Sequence, residues 1–176
     1  CSPTRASIVT GINPARLNLT EHIHGHHPTP PSQQLVTPKT VQGLPLDAST
    51  IGEALQKVGY TTGHIGKWHL GGGKFSPANR GYDLAFGGSW AGLPGSFFYP
   101  FFNGDAYPEL KENSKEGDYL TDKLTDKALS FIEDNREVPF FLALNFYAPH
   151  VPIEGKPGLV EKYRNKRGDE PDSLLP

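Results

Sequence analysis

Two short motifs and a histidine flanked by prolines set side chains where they can do chemistry in this 176-residue chain. The first motif is CSPTRASIVTG, residues 1–11, which holds the only cysteine. Ser2 followed by Pro3 reads as a helix N-cap and first helical position, and Gly11 as the stop, giving a helix from about Pro3 to Thr10. Cys1 then sits at the positive end of that helix, four residues from Arg5 and facing the same side, where unpaired backbone N–H groups converge. A helix start of this kind is an anion site with a reactive atom in it. Several readings of Cys1 fit: a thiolate nucleophile favoured by the dipole and the guanidinium, an N-terminal amine nucleophile, a cysteine that is the precursor of another group, or a small residue with no role.

The second motif is GHIGKWHLG, Gly63 to Gly71. In an extended segment Lys67 and His69 project to one face and Trp68 to the other, presenting a cation and a proton carrier beside flexible glycines. The histidine is His150. The apolar run PFFLALNFY, residues 139–147, continues into APHVP, whose two prolines restrict the backbone on either side of it. Ligand sites in open α/β sheets gather beyond the carboxyl ends of strands. Taken singly, a Lys-x-His pair such as Lys67 and His69, or a histidine between prolines such as His150, is more often a solvated or packed residue than a catalytic one.

The elements that must position these groups follow from the hydrophobic period. Thr50-Ile51-Gly52-Glu53 has the spacing of a capping box, and Ile51, Ala54, Leu55 and Val58 form one helical stripe ending at Gly59. Tyr60 to Trp68 reads as a strand that Gly71, Gly72 and Gly73 break. Asp118 reads as the cap of a second helix, in which Leu120, Leu124, Ala128, Phe131 and Ile132 recur at helical spacing up to about Asn135. Pro139 to Tyr147 suits a strand buried on both faces, as in a parallel sheet covered by helices. Helix, strand, helix, strand in this order predicts an α/β layered fold. Residues 12–47 read as a long loop with room for a short strand, of the length that is usually functional or incompletely ordered, and residues 74–116 read as loop-rich.

Composition narrows the function classes. A net charge of −2 argues against a general polyanion binder, so no nucleic-acid partner is expected, and no window approaches the apolar length of a membrane span. One cysteine excludes an intrachain disulfide. The chain contains no Met and ends in a polar tail without a closing strand, so we expect a piece of a longer domain.

Taken together, these stretches resemble one family. CSPTRASIVTG resembles the sulfatase signature Cys-x-Pro-x-Arg followed by Thr-Gly, and GKWHLG resembles that family's second signature. LPLDASTIGEALQKVGYTTGHIGKWHLG, RGYD, GDYLTDKLTDKALSFIEDN and PFFLALNFYAPHVPIEGKP look like the corresponding stretches of type I sulfatases, including arylsulfatases and N-acetylgalactosamine-6-sulfatases, so the likeness covers most of the chain. It implies an alkaline-phosphatase-like α/β fold, with a mixed, mostly parallel sheet flanked by helices, and residues 1–176 as part of a sulfatase catalytic domain. It also implies hydrolysis of a sulfate monoester on a sulfated glycan or aryl substrate. In that family the signature cysteine is oxidised to formylglycine by a maturation enzyme that reads Cys1, Pro3 and Arg5. One hydroxyl of the hydrated aldehyde attacks sulfur and the other drives elimination of sulfate.

The resemblance further implies that Arg5 holds the hydrate, that Lys67 contacts hydrate and sulfate oxygens, and that His69 is a base for elimination. His150 would bind the ester oxygen or protonate the leaving alcohol. Family members bind a divalent cation, usually calcium (Ca2+), through an aspartate pair upstream of the cysteine and an Asp-Asn or Asp-Gln pair downstream, joined by the modified cysteine. Neither pair is in this chain, nor is the family's second lysine, so Cys1 is the one metal ligand expected here and the fragment alone should be inactive. A periplasmic, secreted or lysosomal location follows from the same likeness.

Other features carry weaker readings. His22, His24, His26 and His27 look like a metal tract but are read as a solvated or substrate-rim loop. Phe97, Phe98, Tyr99, Phe101 and Phe102 are read as loop packing rather than a sugar-stacking surface. Asn18-Leu19-Thr20 is a glycosylation sequon. Lys162, Arg164, Lys166 and Arg167 are read as a solvated helix face. The rival functions are a phosphonate or phosphate ester hydrolase on the same fold, an N-terminal-nucleophile hydrolase, and a non-catalytic sulfated-glycan binder.

Overall fold

Three parallel strands carry the structure, a computed structural model that describes residues 1–23, 35, 39–101 and 107–167. β1 (Thr61–Gly66) lies between β2 (Leu84–Phe86) and β3 (Phe140–Asn145). β1 pairs with β3 over its whole length, from Thr61 opposite Phe140 to Gly66 opposite Asn145, and with β2 from Gly63 opposite Leu84. Parallel neighbours need crossovers. Residues 67–83 make the first, and α3 (Pro108–Glu112) and α4 (Leu120–Asp134) lie on the second. The remaining helices are α1 (Ser2–Thr10), α2 (Ile51–Gln56) and α5 (Pro157–Arg167).

The alternation of a strand sends its residues to two separate cores. Ile65 faces α4 and packs with Leu124, Ala128 and Phe131 of its stripe, as does Leu142 of β3. On the other face Phe141 and Ala143 meet Ala6 of α1, Trp68, Leu70 and Tyr82. His64 points the same way, with its ring edge-on to both Trp68 and Tyr82. At Gly66 the strand must end and turn. Its φ is +90°, and a Cβ there would lie 2.0 Å from the Asn145 carbonyl oxygen, so only glycine brings the two backbones this close.

The Thr50–Glu53 capping box forms as the spacing predicts, with Thr50 Oγ1 accepting from Glu53 N at 3.1 Å and Glu53 Oε2 accepting from Thr50 N at 2.9 Å. Gly11 closes α1 at φ 70°, its N–H donating to Ser7 O. Five expectations need correction. Residues 74–116, read as loop, hold β2 and α3. The N-cap of α1 is Cys1 and not Ser2, because the Ser2 hydroxyl is drawn away to two partners outside the helix. Tyr119 and not Asp118 caps α4, since the Asp118 carboxylate accepts from Lys115 N in the turn before it at 3.0 Å. β1 stops at Gly66 and not at Trp68. β3 is not buried on both faces: it is an edge strand among the described strands, its side chains are half-buried, and Leu144 is exposed.

Candidate active site

The site forms where the start of α1 meets the segment that leaves β1. Ser2, fully buried, donates its hydroxyl to His69 O at 2.8 Å and accepts from Ile23 N at 3.0 Å. Arg5 donates Nε to Trp68 O at 2.9 Å and Nη2 to Lys67 O. Lys67 N in turn donates to Asn145 O at 2.8 Å, extending the β1–β3 ladder by one bond. These bonds fix the backbone of residues 67–69 against both the helix and the sheet. Lys67 Nζ thereby comes within 3.5 Å of Cys1 Sγ. Cys1 is exposed, whereas Lys67 is 7% and His69 5% exposed.

Cys1, His69 and His150 line one cleft of about 550 Å³, together with His22, Ile23 and the stretch Trp90 to Leu93. Lys67 does not line this cleft but the smaller cavity beside it, and its contact with Cys1 Sγ links it to the cleft. Arg5 does not line it: its guanidinium is committed to the two carbonyls and borders a smaller cavity of about 60 Å³ with His64 and Asn145. Arg5 thus acts on this site through the backbone it holds and through its charge.

His69 is held from several sides. Its φ is +57°, its N–H donates to Ser89 O at 3.0 Å, and Nε2 lies 3.3 Å from Ile23 O. Its Nδ1 is buried without a hydrogen-bond partner among the described residues. Gly92 packs against the ring, where a Cβ would come within 2.3 Å of Cε1. Burial, with the nearby Lys67, Arg5 and His22 charges, lowers the His69 pKa to about 4 against the opposing pull of Ile23 O. Burial, then the Arg5 charge, lowers Lys67 to about 8. At neutral pH this leaves a neutral imidazole and a mostly protonated amine side by side.

Sequence reasoning missed Ser2, Gly92 and the pair His64 and Asn145. His64 is buried, with Nε2 3.3 Å from Asn145 Nδ2, and burial, followed by the Arg5 charge, lowers its pKa to about 3. No local pattern marks these residues, because each acts across long stretches of chain. Of the histidine tract, His22 lines the cleft, 6.5 Å from the His69 ring, and His24, His26 and His27 lie outside the described residues. Phe97 and Phe101 are buried in the α4-side core, and Phe102 lies outside the described residues. Asn18 is exposed, and the four basic residues of α5 are exposed. Among the described residues no group of three or more His, Cys, Asp or Glu is arranged to hold a metal ion, so these residues do not by themselves fit a hard cation.

The Sulfatase family profile matches residues 1–174. The chain belongs to the sulfatase family. It is 33% identical over 196 residues to an arylsulfatase of Hemicentrotus pulcherrimus, covering 99% of this chain and 33% of that protein. It is 33% identical over 189 residues to the N-acetylgalactosamine-6-sulfatase of Homo sapiens, covering 96% of this chain and 34% of that protein. Among solved structures, Ps i-CgsB in complex with k-i-k-neocarrahexaose superposes with a TM-score of 0.67 at 28% identity, over 94% of this chain and 38% of that one. The sheet and helices of this sulfatase chain are therefore part of an alkaline-phosphatase-like fold, and the chain spans about a third of the length of these curated relatives.

Proposed function

We propose that the protein hydrolyses sulfate monoesters of sulfated carbohydrates or aryl compounds, with Cys1 as the precursor of the nucleophile. The observation that carries this reading is the exposed Cys1 Sγ at the start of α1, 3.5 Å from the Lys67 ammonium, in a cleft shared with His69 and His150. Conversion of Cys1 to formylglycine supplies a hydrated aldehyde, whose two hydroxyls can respectively attack sulfur and expel sulfate. That residue type fits the position, since Cys1 lines the cleft and, among the described residues, no side chain caps the helix start beside it.

The roles of the neighbours follow from their state. Lys67 offers a compact positive charge to oxygens bound at Cys1, and its buried setting strengthens that charge against developing negative charge. His69 is neutral and able to take a proton from a hydroxyl at position 1. His150, at the cleft margin, gives a proton to the departing alcohol. Arg5 and Ser2 keep the Lys67–His69 backbone in place. The described residues do not by themselves furnish a site for calcium.

A maturation enzyme that reads Cys1, Pro3 and Arg5 and a non-cytoplasmic location belong to this reading through the family. No helix among the described residues is long and apolar enough to cross a membrane. The test is sulfate release by the full-length protein, produced with a formylglycine-generating enzyme, from p-nitrophenyl sulfate and a sulfated monosaccharide, beside a matched aryl phosphonate. Turnover of the sulfates that Cys1→Ala abolishes supports the proposal; preference for the phosphonate overturns it.

A further inference from the structure

We infer that Glu154 is a positioning residue for His150, pinning the loop that carries this imidazole to the segment forming another wall of the same cleft. The inference rests on the sulfatase reading and adds to it the device that holds the proton donor.

His150 has little of its own to hold it. Its ring contacts its own loop, with Nδ1 3.1 Å from Val151 O. The large side chains that follow, Val151 and Ile153, are 55% and 71% exposed, so burial does not fix the loop either. The loop is instead fixed at its ends. On one side Tyr147 is buried and donates its hydroxyl to Gly87 O at 2.8 Å, and His150 N donates to Tyr147 O at 3.0 Å. On the other, Glu154 Oε2 accepts from Ser96 Oγ at 2.8 Å and from Phe97 N at 2.6 Å, and Tyr119 Oη donates to Glu154 O at 3.1 Å.

Ser96 and Phe97 follow the Trp90–Leu93 wall after Pro94 and Gly95, and Phe97 is rooted in the core at 1% exposure. A carboxylate taking two donors makes stronger bonds than a neutral acceptor, so this is the firmer end of the span. Both walls of the cleft are thus joined through one side chain, and the distance between His150 and the groups at Cys1 depends on it.

The test compares two esters of similar shape whose alcohols differ in their need for a proton. p-Nitrophenolate leaves unaided, whereas phenolate from phenyl sulfate departs more slowly without a general acid. In the full-length protein, Glu154→Ala is expected to lower kcat/KM for phenyl sulfate by about tenfold or more and for p-nitrophenyl sulfate by less than about twofold. Glu154→Gln, which keeps an oxygen acceptor, is expected to restore most of the phenyl sulfate rate. In a His150→Ala background, Glu154→Ala should add no further loss. Wild-type turnover with equal losses on both esters, or with none on either, overturns the inference alone. Absence of wild-type turnover on both esters overturns the sulfatase reading beneath it.

Discussion

Lys67 Nζ lies 3.5 Å from Cys1 Sγ, although 66 positions separate the two residues in sequence. The approach is produced by backbone anchoring. Ser2 and Arg5, on the first turns of α1, hold the carbonyls of residues 67, 68 and 69, so the helix start and the strand exit form one rigid unit. An ammonium placed this way is already oriented toward charge that builds up on position 1, and orientation before reaction is where electrostatic catalysis draws its strength.

Replacing that ammonium is expected to be severe. Lys67→Ala should lower kcat on a sulfate ester by about 10²–10³-fold while leaving the thermal midpoint little changed. Lys67→Arg keeps the charge but not its compact shape and should recover only part of the loss. Steady-state kinetics with a thermal melt of each variant checks both points.

The pH profile should show two limbs. Activity rises with pH as His69 loses its proton near 4 and falls as Lys67 loses its proton near 8. Both shifts come first from burial, which disfavours the charged form of a base. Lys67→Arg should remove the alkaline limb, and a pH–rate profile of the two proteins shows whether it does. The same burial affects stability. The unfolded His69 binds its proton around 6.5 and the folded one only near 4, so this residue contributes a loss of stability as pH falls from 6.5 to 4 and none above that range. Denaturant midpoints measured across this interval test the sign.

Gly92→Ala tests how closely His69 must be held. A Cβ at position 92 would come within 2.3 Å of the ring, which has to move. Displacement of a reacting group by about 1 Å costs up to about 10²-fold in rate, so kcat should drop by between about ten- and a hundredfold. The measurement is kcat alongside circular dichroism, with the fold expected to persist.

Arg80 is the expected point of greatest structural fragility. Its side chain is 1% exposed, pairs with Glu53 at 2.9 Å, and donates to the carbonyls of Leu44, Pro45 and Ala48. Arg80→Ala leaves those acceptors and the carboxylate without their partner and should destabilise the fold by about 3–5 kcal/mol, read as a shift in denaturant midpoint.

Arg80 also shows why part of this molecule was hidden in its sequence. Residues 44–50 have no hydrophobic period, and much of what holds them comes from Arg80, thirty or more positions away: its guanidinium donates to Leu44 O and Ala48 O, and its carbonyl accepts from Thr50 Oγ1. β2 is three residues long, Leu84–Phe86, too short to announce itself by alternation. Ser2 has the right identity for a cap, yet its hydroxyl serves His69 and Ile23, partners that only the tertiary fold supplies. Local physics was legible where it was self-contained: the Thr50–Glu53 box, the Gly11 stop and the α4 stripe all follow from nearest neighbours. Among the site residues, the two motifs were visible as motifs, but the role of Arg5 as a brace on the Lys67 and Trp68 carbonyls was not.

The chemical state of residue 1 decides whether Cys1 is the precursor of the nucleophile. Mass analysis of the peptide that contains residues 1–5, from active full-length protein and with hydrazide trapping of any carbonyl, reads that state. An aldehyde in place of the thiol is expected, in proportion to specific activity on p-nitrophenyl sulfate. An unmodified thiol throughout a fully active preparation contradicts that role for Cys1.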